Sequence, residues 1–453
     1  MEAWVARAAR MHGDRAALET GAASLTYERL HDRARGLGGA LLQRGVRAGD
    51  RVALALAGPD LVVALHGCML IGAIAVPIDL RLRGLERAER AGGAKVVLEE
   101  LAEGPPAPPR ALEMGATATV MYTSGTTAGP KPVLLSYENW LWNALGSAVA
   151  LGLDPEERWL CPLPLAHVGG LSIQVRSAVY GTTVVLHGRF DTEAVAATLM
   201  DPAQRVTMVS LVPTMLSRLL DAGLREPPTL RWALLGGGPI APALLARARA
   251  ARVAVAASYG MTEGCSQIVT HGFPLLGFEL RIAEAMARGP GEPVVGELLV
   301  RGKAVAAGAL SQDGWLHTGD LGSLDGRGRL SIEGRLADTI VTGGENVAPI
   351  EVEAALLEHP AVADVGVFGR PDPEWGEAVT ANVVLRAGAA VDEAELRAHC
   401  AARLAPFKVP KRIELVPSVP RGATGKLLRR ELARPHQTAV QIIPEGESGK
   451  LSG

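Results

Sequence analysis

The chain has little with which to staple itself or to cross a bilayer. Four cysteines, Cys68, Cys161, Cys265 and Cys400, are scattered through 453 residues with no C-x-x-C pair. That excludes a dense disulfide framework and a local zinc or dithiol motif, and it fits a reducing compartment, the cytoplasm. An excess of either charge is also lacking. The 46 Lys plus Arg are matched by 48 Asp plus Glu, so no global field draws the chain to nucleic acid or to an anionic membrane, and any polyanion must be met locally. The basic run from Lys408 to Arg430 has little aromatic interleaving, which argues against a single-stranded nucleic-acid partner. The opening MEAWVARAARMHGDR has neither the apolar core nor the cleavage site of a secretory leader. Leu61 to Ile78 is uncharged and nears spanning length, but Gly67, Gly72 and Pro77 interrupt it after the strand-like RVALALAG. It reads as a buried helix running into a buried strand, with no membrane span. The sequence leaves a homo-oligomer open.

What is present is ordinary globular material, 48% hydrophobic and 21% charged, in a chain long enough for one large domain and a smaller one. From Arg205 the sequence alternates: RVTMVSLV, PTMLSRLLDAG, LRWALLGGG, PIAPALLARARA, RVAVAASYG. This strand-helix-strand-helix-strand series, with Pro213 opening a helix and Gly223 closing it, predicts a mostly parallel sheet flanked by helices. Ligands collect at the carboxyl ends of such strands, where LLGGGP and SYGMTE fall. After about Arg335 the texture changes. Pro349 opens a helix that Pro360 closes, VADVGVFG and EAVTANVVLRAG read as half-buried strands, and Asp392 with Glu395 forms a capping box. The fold class expected is α/β: a large N-terminal domain of helix-flanked mixed sheets over 1–336, a small α+β C-terminal domain over 337–435, and a frayed tail over 436–453. The PPAPP run near Pro105 reads as a stiff surface linker.

The most informative stretch is YTSGTTAGPK, Tyr122 to Lys131, directly after the strand-like ATATVM. Ser124, Thr126, Thr127, two glycines and Lys131 can wrap phosphate oxygens with hydroxyls, backbone N–H groups and one positive charge. The spacing is not that of a Walker loop. Taken alone, such a cluster also fits a solvated turn. GGGPIA fits a loose dinucleotide fingerprint, but Pro239 disrupts the turn and no acid follows at the ribose distance, so a nicotinamide site is excluded.

Together with PLAHVGGL, GGGP, YGMTE, GWLHTGDLG, GRLAD, TGGENVAPIEVE and PRGATGKLLRREL, in that order, this loop resembles the acyl-adenylate-forming superfamily. That superfamily includes acyl-CoA and aryl-CoA synthetases, luciferases and nonribosomal adenylation domains. The resemblance runs from Leu25 to Leu432. It implies an ATP-dependent ligase that joins a small carboxylic acid to AMP and passes the acyl group to coenzyme A, with Mg²⁺ accompanying ATP and a mobile C-terminal domain. Within the superfamily, PLPLAHVGGLSIQVRSAVYGTTVVL, YGMTEGCSQIVT and the compact length are similar to ligases that take 2-succinylbenzoate, in menaquinone synthesis. Another aryl or acyl acid, or a carrier protein as acceptor, is the alternative, as is a non-catalytic nucleotide-binding regulator.

By that resemblance, Thr123, Ser124, Gly125, Thr126, Thr127 and Lys131 hold the β- and γ-phosphates, and Thr262 contacts the α-phosphate. Glu263 helps to bind Mg²⁺, a hard cation that takes one carboxylate plus phosphate oxygens. Gly236, Gly237, Gly238 and Pro239, with Ser258, Tyr259, Gly260 and Met261, line the adenine side, where Tyr259 offers a flat face. Asp320 accepts the ribose hydroxyls and Arg335 adds a second contact. Lys426, on the mobile domain, bridges the attacking carboxylate and the α-phosphate as the catalytic cation. His167 gates the acyl group, Gly169 lies beside it, and Arg176 and Ser266 are candidates for the acid's second carboxylate, which needs a cation or several donors in a dry pocket. Gly343, Gly344 and Glu345 line the tunnel for coenzyme A. Without the motifs, Glu263 would read as a helix-start acid, Asp320 as a turn residue, Arg335 as half of a surface ion pair, Lys426 as one cation of a basic run, His167 as a core histidine and Arg176 as an exposed helix residue. The chain departs from the family pattern at Ala128 and Pro132, where glycine is common, and at Ala337, the hinge position.

Overall fold

The computed structural model describes residues 1–21, 23–82, 84–123, 131–286, 294–422 and 427–433. Ser124, Gly125, Thr126, Thr127, Lys426 and the expected tail at 436–453 lie outside the described residues. The chain divides into two compact units, residues 1–339 and residues 340–422 with 427–433.

The first unit is built on two sheets with helices between and around them. In one, Arg158–Cys161, Thr183–Leu186, Met208–Leu211, Trp232–Leu235 and Val255–Met261 run parallel; Ala16–Glu19 joins in parallel beside Thr183–Leu186, and antiparallel strands close both edges. Met208–Leu211, Trp232–Leu235 and Val255–Met261 are the strands expected from the alternation after Arg205, and helices Pro213–Asp221 and Pro242–Ala250 connect them. The other places Arg51–Leu54, Ile74–Pro77, Val96–Leu98 and Thr117–Tyr122 in parallel, with Pro132–Ser136 closing a hairpin at its edge. The apolar stretch from Leu61 is the buried helix Gly58–Ile71 followed by the strand Ile74–Pro77.

Alternation along the strands sorts the side chains between two cores. Trp159, Cys161, Val184, Leu186, Met208 and Leu234 face the central helices Gly58–Ile71, Tyr137–Leu151 and Val168–Tyr180, whereas Leu160, Val185, Val209, Leu211, Ala233 and Leu235 face the outer helices. Both faces are covered, so these strands read as continuous apolar runs. A third, wholly antiparallel sheet, Phe278–Met286, Val295–Gly302, Leu316–Leu324 and Leu330–Arg335, follows. Its motifs drew attention as binding signatures, and their strand pattern was not read from the sequence.

One expectation is refined and one corrected. The PPAPP segment does run along the surface with its prolines exposed, but it is pinned at its centre: Ala107 is buried, its N–H donates to Arg35 O at 2.9 Å, and Arg35 Nε returns to Ala107 O at 3.2 Å. Gly39 makes this approach feasible, since a Cβ there would lie 1.6 Å from Pro105 O. In the second unit, the two expected strands, Val362–Asp372 and Gly376–Leu385, pair as an antiparallel hairpin, but Val365–Phe368 and Ala378–Val383 are buried without alternation. The reason is packing on both faces. Helices Pro349–Leu357 and Glu393–Ala401 cover Val365, Val367, Val379, Ala381 and Val383, and Val419 with Leu432 covers Phe368 on the other. Asp392 does cap its helix, accepting from Glu395 N at 2.8 Å, while Glu395 turns its carboxylate toward His359 Nε2, 3.5 Å away.

One buried hydroxyl ties the N-terminal helices to this frame. Tyr27 OH lies 2.7 Å from Ser177 O and 2.6 Å from Thr182 O, at the end of the Val168–Tyr180 helix. Tyr27→Phe removes the donor these carbonyls share and should cost about 1–3 kcal/mol, read as a lower denaturation midpoint in urea with unchanged slope.

Candidate active site

The parallel strands end along one edge, and the sequence-predicted residues gather there. Gly236 N donates to Leu211 O at 3.1 Å, and Gly237 has φ 77°, so the chain turns sharply after Trp232–Leu235. A Cβ on Gly236 would come 3.1 Å from Ser258 O, which packs the Gly236–Pro239 turn against the strand carrying Ser258, Tyr259, Gly260 and Met261. That strand pairs parallel with Trp232–Leu235 over its first residues and antiparallel with Ser266–Thr270 over its last. Gly260 is required there, because a Cβ would lie 1.8 Å from Ser266 O. The short turn Thr262–Gly264 follows, anchored by Ala306 N donating to Glu263 O at 2.8 Å. Among the described residues the Glu263 carboxylate takes no hydrogen bond or ion pair, which leaves its oxygens available to a hard cation.

Asp320 reaches the same place by a break in a ladder. Between the pairs Glu297↔Leu321 and Leu299↔His317, one strand has only Leu298 where the other must fit Thr318, Gly319 and Asp320. The surplus forms a bulge, in which Gly319 takes φ 67°. Thr318 Oγ1 donates to Leu298 O at 2.7 Å and accepts from Asp320 N at 3.1 Å. The Asp320 carboxylate is buried, yet both oxygens are engaged: Tyr259 OH donates to Oδ2 at 2.7 Å, and Arg335 Nε meets Oδ1 at 2.8 Å. Burial first, then the Asp320 charge, pushes the Tyr259 phenol well above its ordinary pKa, so it stays a donor. Three residues that the resemblance assigned to the nucleotide thus form one hydrogen-bonded group.

His167 stands at the N-terminus of the Val168–Tyr180 helix, just beyond the strand Arg158–Cys161, and its side chain makes no cap bond. Its Nε2 lies 3.2 Å from an Arg81 guanidinium nitrogen and 3.4 Å from Asp79 Oδ2, and Arg81 Nε in turn donates to Asp79 Oδ1 at 2.8 Å. Burial would raise the Asp79 carboxyl, but hydrogen bonds from His167 and Arg81 hold it well below the usual carboxylate range. Sequence reading missed Asp79 and Arg81; their signal was PIDLRLR at the carboxyl end of Ile74–Pro77. Ser172, also missed, donates to Gly169 O at 3.0 Å and lies 3.4 Å from Ser266 Oγ, bringing two acyl candidates together. Ser266 has φ 97°, a strained value for a non-glycine residue.

Arg176 is not the exposed helix residue of the competing reading. It is 1% exposed, donates to Asn143 Oδ1 at 2.6 Å, and stands 5.6 Å from the Trp159 ring. Its Nε has no partner and no carboxylate meets it among the described residues, and burial pulls its pKa below the ordinary arginine value. The structure does not join it by a hydrogen bond to Ser266.

The phosphate-loop ends are the two sides of a hairpin: Tyr122 pairs with Pro132, and Thr123 N donates to Lys131 O at 3.0 Å. Lys131 is exposed, and the Arg90 guanidinium lies 4.7 Å from the Tyr122 ring. In the second unit, Gly343 and Gly344 make the turn between Ile340–Thr342 and Glu345–Val347 with φ 58° and 86°. Gly343 N donates to Trp375 O at 2.8 Å, and a Cβ there would lie 3.1 Å from the Trp375 ring, which Lys411 Nζ approaches at 4.4 Å. On either side of residues 423–426, Arg421 bridges to Leu427 and pairs with Asp364, and Arg429 pairs with Glu353.

A glycine turn at the strand ends beside a tyrosine-bound, buried aspartate is an arrangement suited to a nucleotide, and the chain belongs to the AMP-binding enzyme family. The family model matches residues 5–103 and 84–310, and that of the AMP-binding enzyme C-terminal domain matches 351–426. The 2-succinylbenzoate–CoA ligase of Bacillus licheniformis is 40% identical across 95% of this chain and 98% of its own length. That of Geobacillus kaustophilus is 38% identical across 99% of each. The o-succinylbenzoate CoA synthetase of Bacillus subtilis, solved with the acyl-adenylate intermediate OSB-AMP, superposes with a TM-score of 0.88 at 36% identity, covering 96% of this chain and 98% of that one. The resemblance drawn from the motifs is therefore borne out over nearly the whole chain. No helix among the described residues is long and apolar enough to cross a membrane.

Gly260→Ala should force its strand away from Ser266 and cost about 3 kcal/mol, with a matching fall in the denaturation midpoint; an unchanged midpoint would show that the neighbouring strand gives way freely.

Proposed function

We propose that the protein is a cytoplasmic ATP-dependent ligase that converts 2-succinylbenzoate, ATP and coenzyme A to 2-succinylbenzoyl-CoA, AMP and diphosphate, a step of menaquinone synthesis. The reading is carried by the buried Asp320, bonded to Tyr259 and Arg335 beside the Gly236–Gly238 turn, in a chain similar end to end to ligases of that name.

A carboxylate attacking the α-phosphorus of ATP brings two anions together, so charge must be neutralised and geometry fixed before bonds change. An acid oxygen bonds to the α-phosphorus as the bridge to the β-phosphate breaks, and diphosphate leaves. Ser124, Thr126, Thr127 and Lys131, with the Thr123 and Gly125 backbone, hold the departing phosphates. Thr262 meets the α-phosphate, and Glu263 would hold Mg²⁺, which would balance the phosphate charge. Asp320 and Arg335 take the ribose, and Tyr259 with the Gly236–Pro239 turn takes the base. Lys426 supplies the last cation, between the acid and the α-phosphate. The thiol of coenzyme A then gives up its proton and attacks the acyl carbon, and AMP departs with the carboxylate oxygen.

In the second step, the Gly343–Gly344 turn and Glu345 line the thiol path, and Trp375 and Lys411 belong to the same side. The small domain moves between the two steps, so lid exchange gates the reaction. His167, oriented by Asp79 and Arg81, closes over the acyl group beside Gly169 and Ser266. Arg176 is the charge that the acid's distal carboxylate would relieve, because a buried guanidinium without a carboxylate is costly until it is paired.

The test is release of AMP that depends on coenzyme A, across a panel of aromatic and dicarboxylic acids with 2-succinylbenzoate first. Free acyl-CoA formed without any carrier protein is the expected product. Turnover only with a different acid, or only with a carrier protein, would refute this reading. Lys426→Ala should slow adenylation by about 10²- to 10³-fold and spare thioester formation from supplied acyl-adenylate. Equal loss in both halves would contradict its role.

A further inference from the structure

The bulge that presents Asp320 has an anchor that no part of the adenylation chemistry uses. Where the ladder between Val295–Gly302 and Leu316–Leu324 opens, Gly319 N loses a strand partner and donates instead to Glu297 Oε1 at 3.0 Å. The other oxygen of the same carboxylate, Oε2, lies 3.0 Å from His317 Nδ1, and His317 Nε2 faces Asp313 Oδ2 at 3.2 Å. Glu297 is thus bonded on both sides of Thr318, to the residue before it and the residue after it. Leu298, its neighbour, takes the Thr318 hydroxyl. With both ring nitrogens against carboxylates, His317 is held as a cation, its pKa raised by Glu297 and then Asp313. The ring bridges Glu297 and Asp313 and so holds the Glu297 carboxylate in place.

We propose that Glu297 is a positioning residue for nucleotide binding: it holds the Thr318–Asp320 bulge so that Asp320 meets Tyr259 and Arg335. The proposal rests on the reading of Asp320 as a nucleotide contact. Gly319 sits in the left-handed region at φ 67°, a conformation glycine adopts freely and also leaves freely. An acceptor for its N–H selects that conformation. Without one, the surplus residues can redistribute along the ladder, and Asp320 loses its aim.

The test compares Glu297→Ala, Glu297→Gln and Asp320→Ala by titration of Mg-ATP onto the full chain and by steady-state kinetics. Glu297→Ala should weaken ATP binding and raise KM for ATP by about 10-fold, with kcat and KM for the acid near those of the parent. Glu297→Gln keeps an acceptor for Gly319 N and should restore most of that affinity. Asp320→Ala should lose ATP affinity more severely than either. If Glu297→Ala binds ATP like the parent while Asp320→Ala does not, the positioning role is wrong and the Asp320 reading stands. If Asp320→Ala itself binds normally, that reading fails and takes the inference with it. A loss spread equally over ATP, acid and kcat also overturns it. Should Glu297→Ala not fold, Thr318→Val removes the other bond that shapes the bulge at nearly constant volume; unchanged ATP affinity in that variant would refute the proposal.

Discussion

A buried carboxylate is costly unless its oxygens are partnered, and Asp320 is partnered twice, by the Tyr259 hydroxyl and the Arg335 guanidinium. The remaining features of the nucleotide side depend on that arrangement. Tyr259 stands on the strand that also carries Gly260 and leads into Thr262 and Glu263, so the group that fixes Asp320 fixes the proposed phosphate and cation contacts as well. Arg335 is the last residue of the strand paired with the Asp320 strand, one short turn before the first unit ends at residue 339.

The architecture explains why these groups converge. Parallel strands buried on both faces place all their carboxyl ends on one edge, and each must turn there. The turns of this chain are glycine-rich where backbone approaches backbone, at Gly236 against Ser258 O and at Gly260 against Ser266 O. They are polar elsewhere, at His167 and Thr262. The antiparallel sheet adds Asp320 from a second direction, and it can do so only because its ladder is broken. Regular alternation would have spent Thr318, Gly319 and Asp320 on strand pairing.

The fold was legible wherever a period or a punctuation mark was strong. Pro213, Gly223 and Pro349 marked helix ends, and the β-branched runs after Arg205 are the observed parallel strands. Burial on two faces was not legible in the second unit, because Thr380 and Asn382 look like solvent positions, yet both are buried and Asn382 donates to Leu432 O. The anchoring of PPAPP through Ala107 was hidden for a related reason: it depends on the missing side chain at Gly39, which a composition reading scores only as flexibility. Among the site residues, the glycine turn, Tyr259, Asp320 and Arg335 were legible as motifs. Asp79, Arg81 and Ser172 were not, since each matters only through a neighbour distant in sequence. Arg176 was visible, but its burial was not: an arginine on an amphipathic helix usually faces water, and this one is enclosed beside Asn143 and Trp159.

The central claim is that the site activates a carboxylate as an adenylate before any thiol is involved. Exchange of labelled diphosphate into ATP, followed without coenzyme A, tests this most directly. The account predicts exchange that requires both Mg²⁺ and 2-succinylbenzoate. Absence of exchange with that acid, or conversion of ATP to ADP in its place, would contradict it.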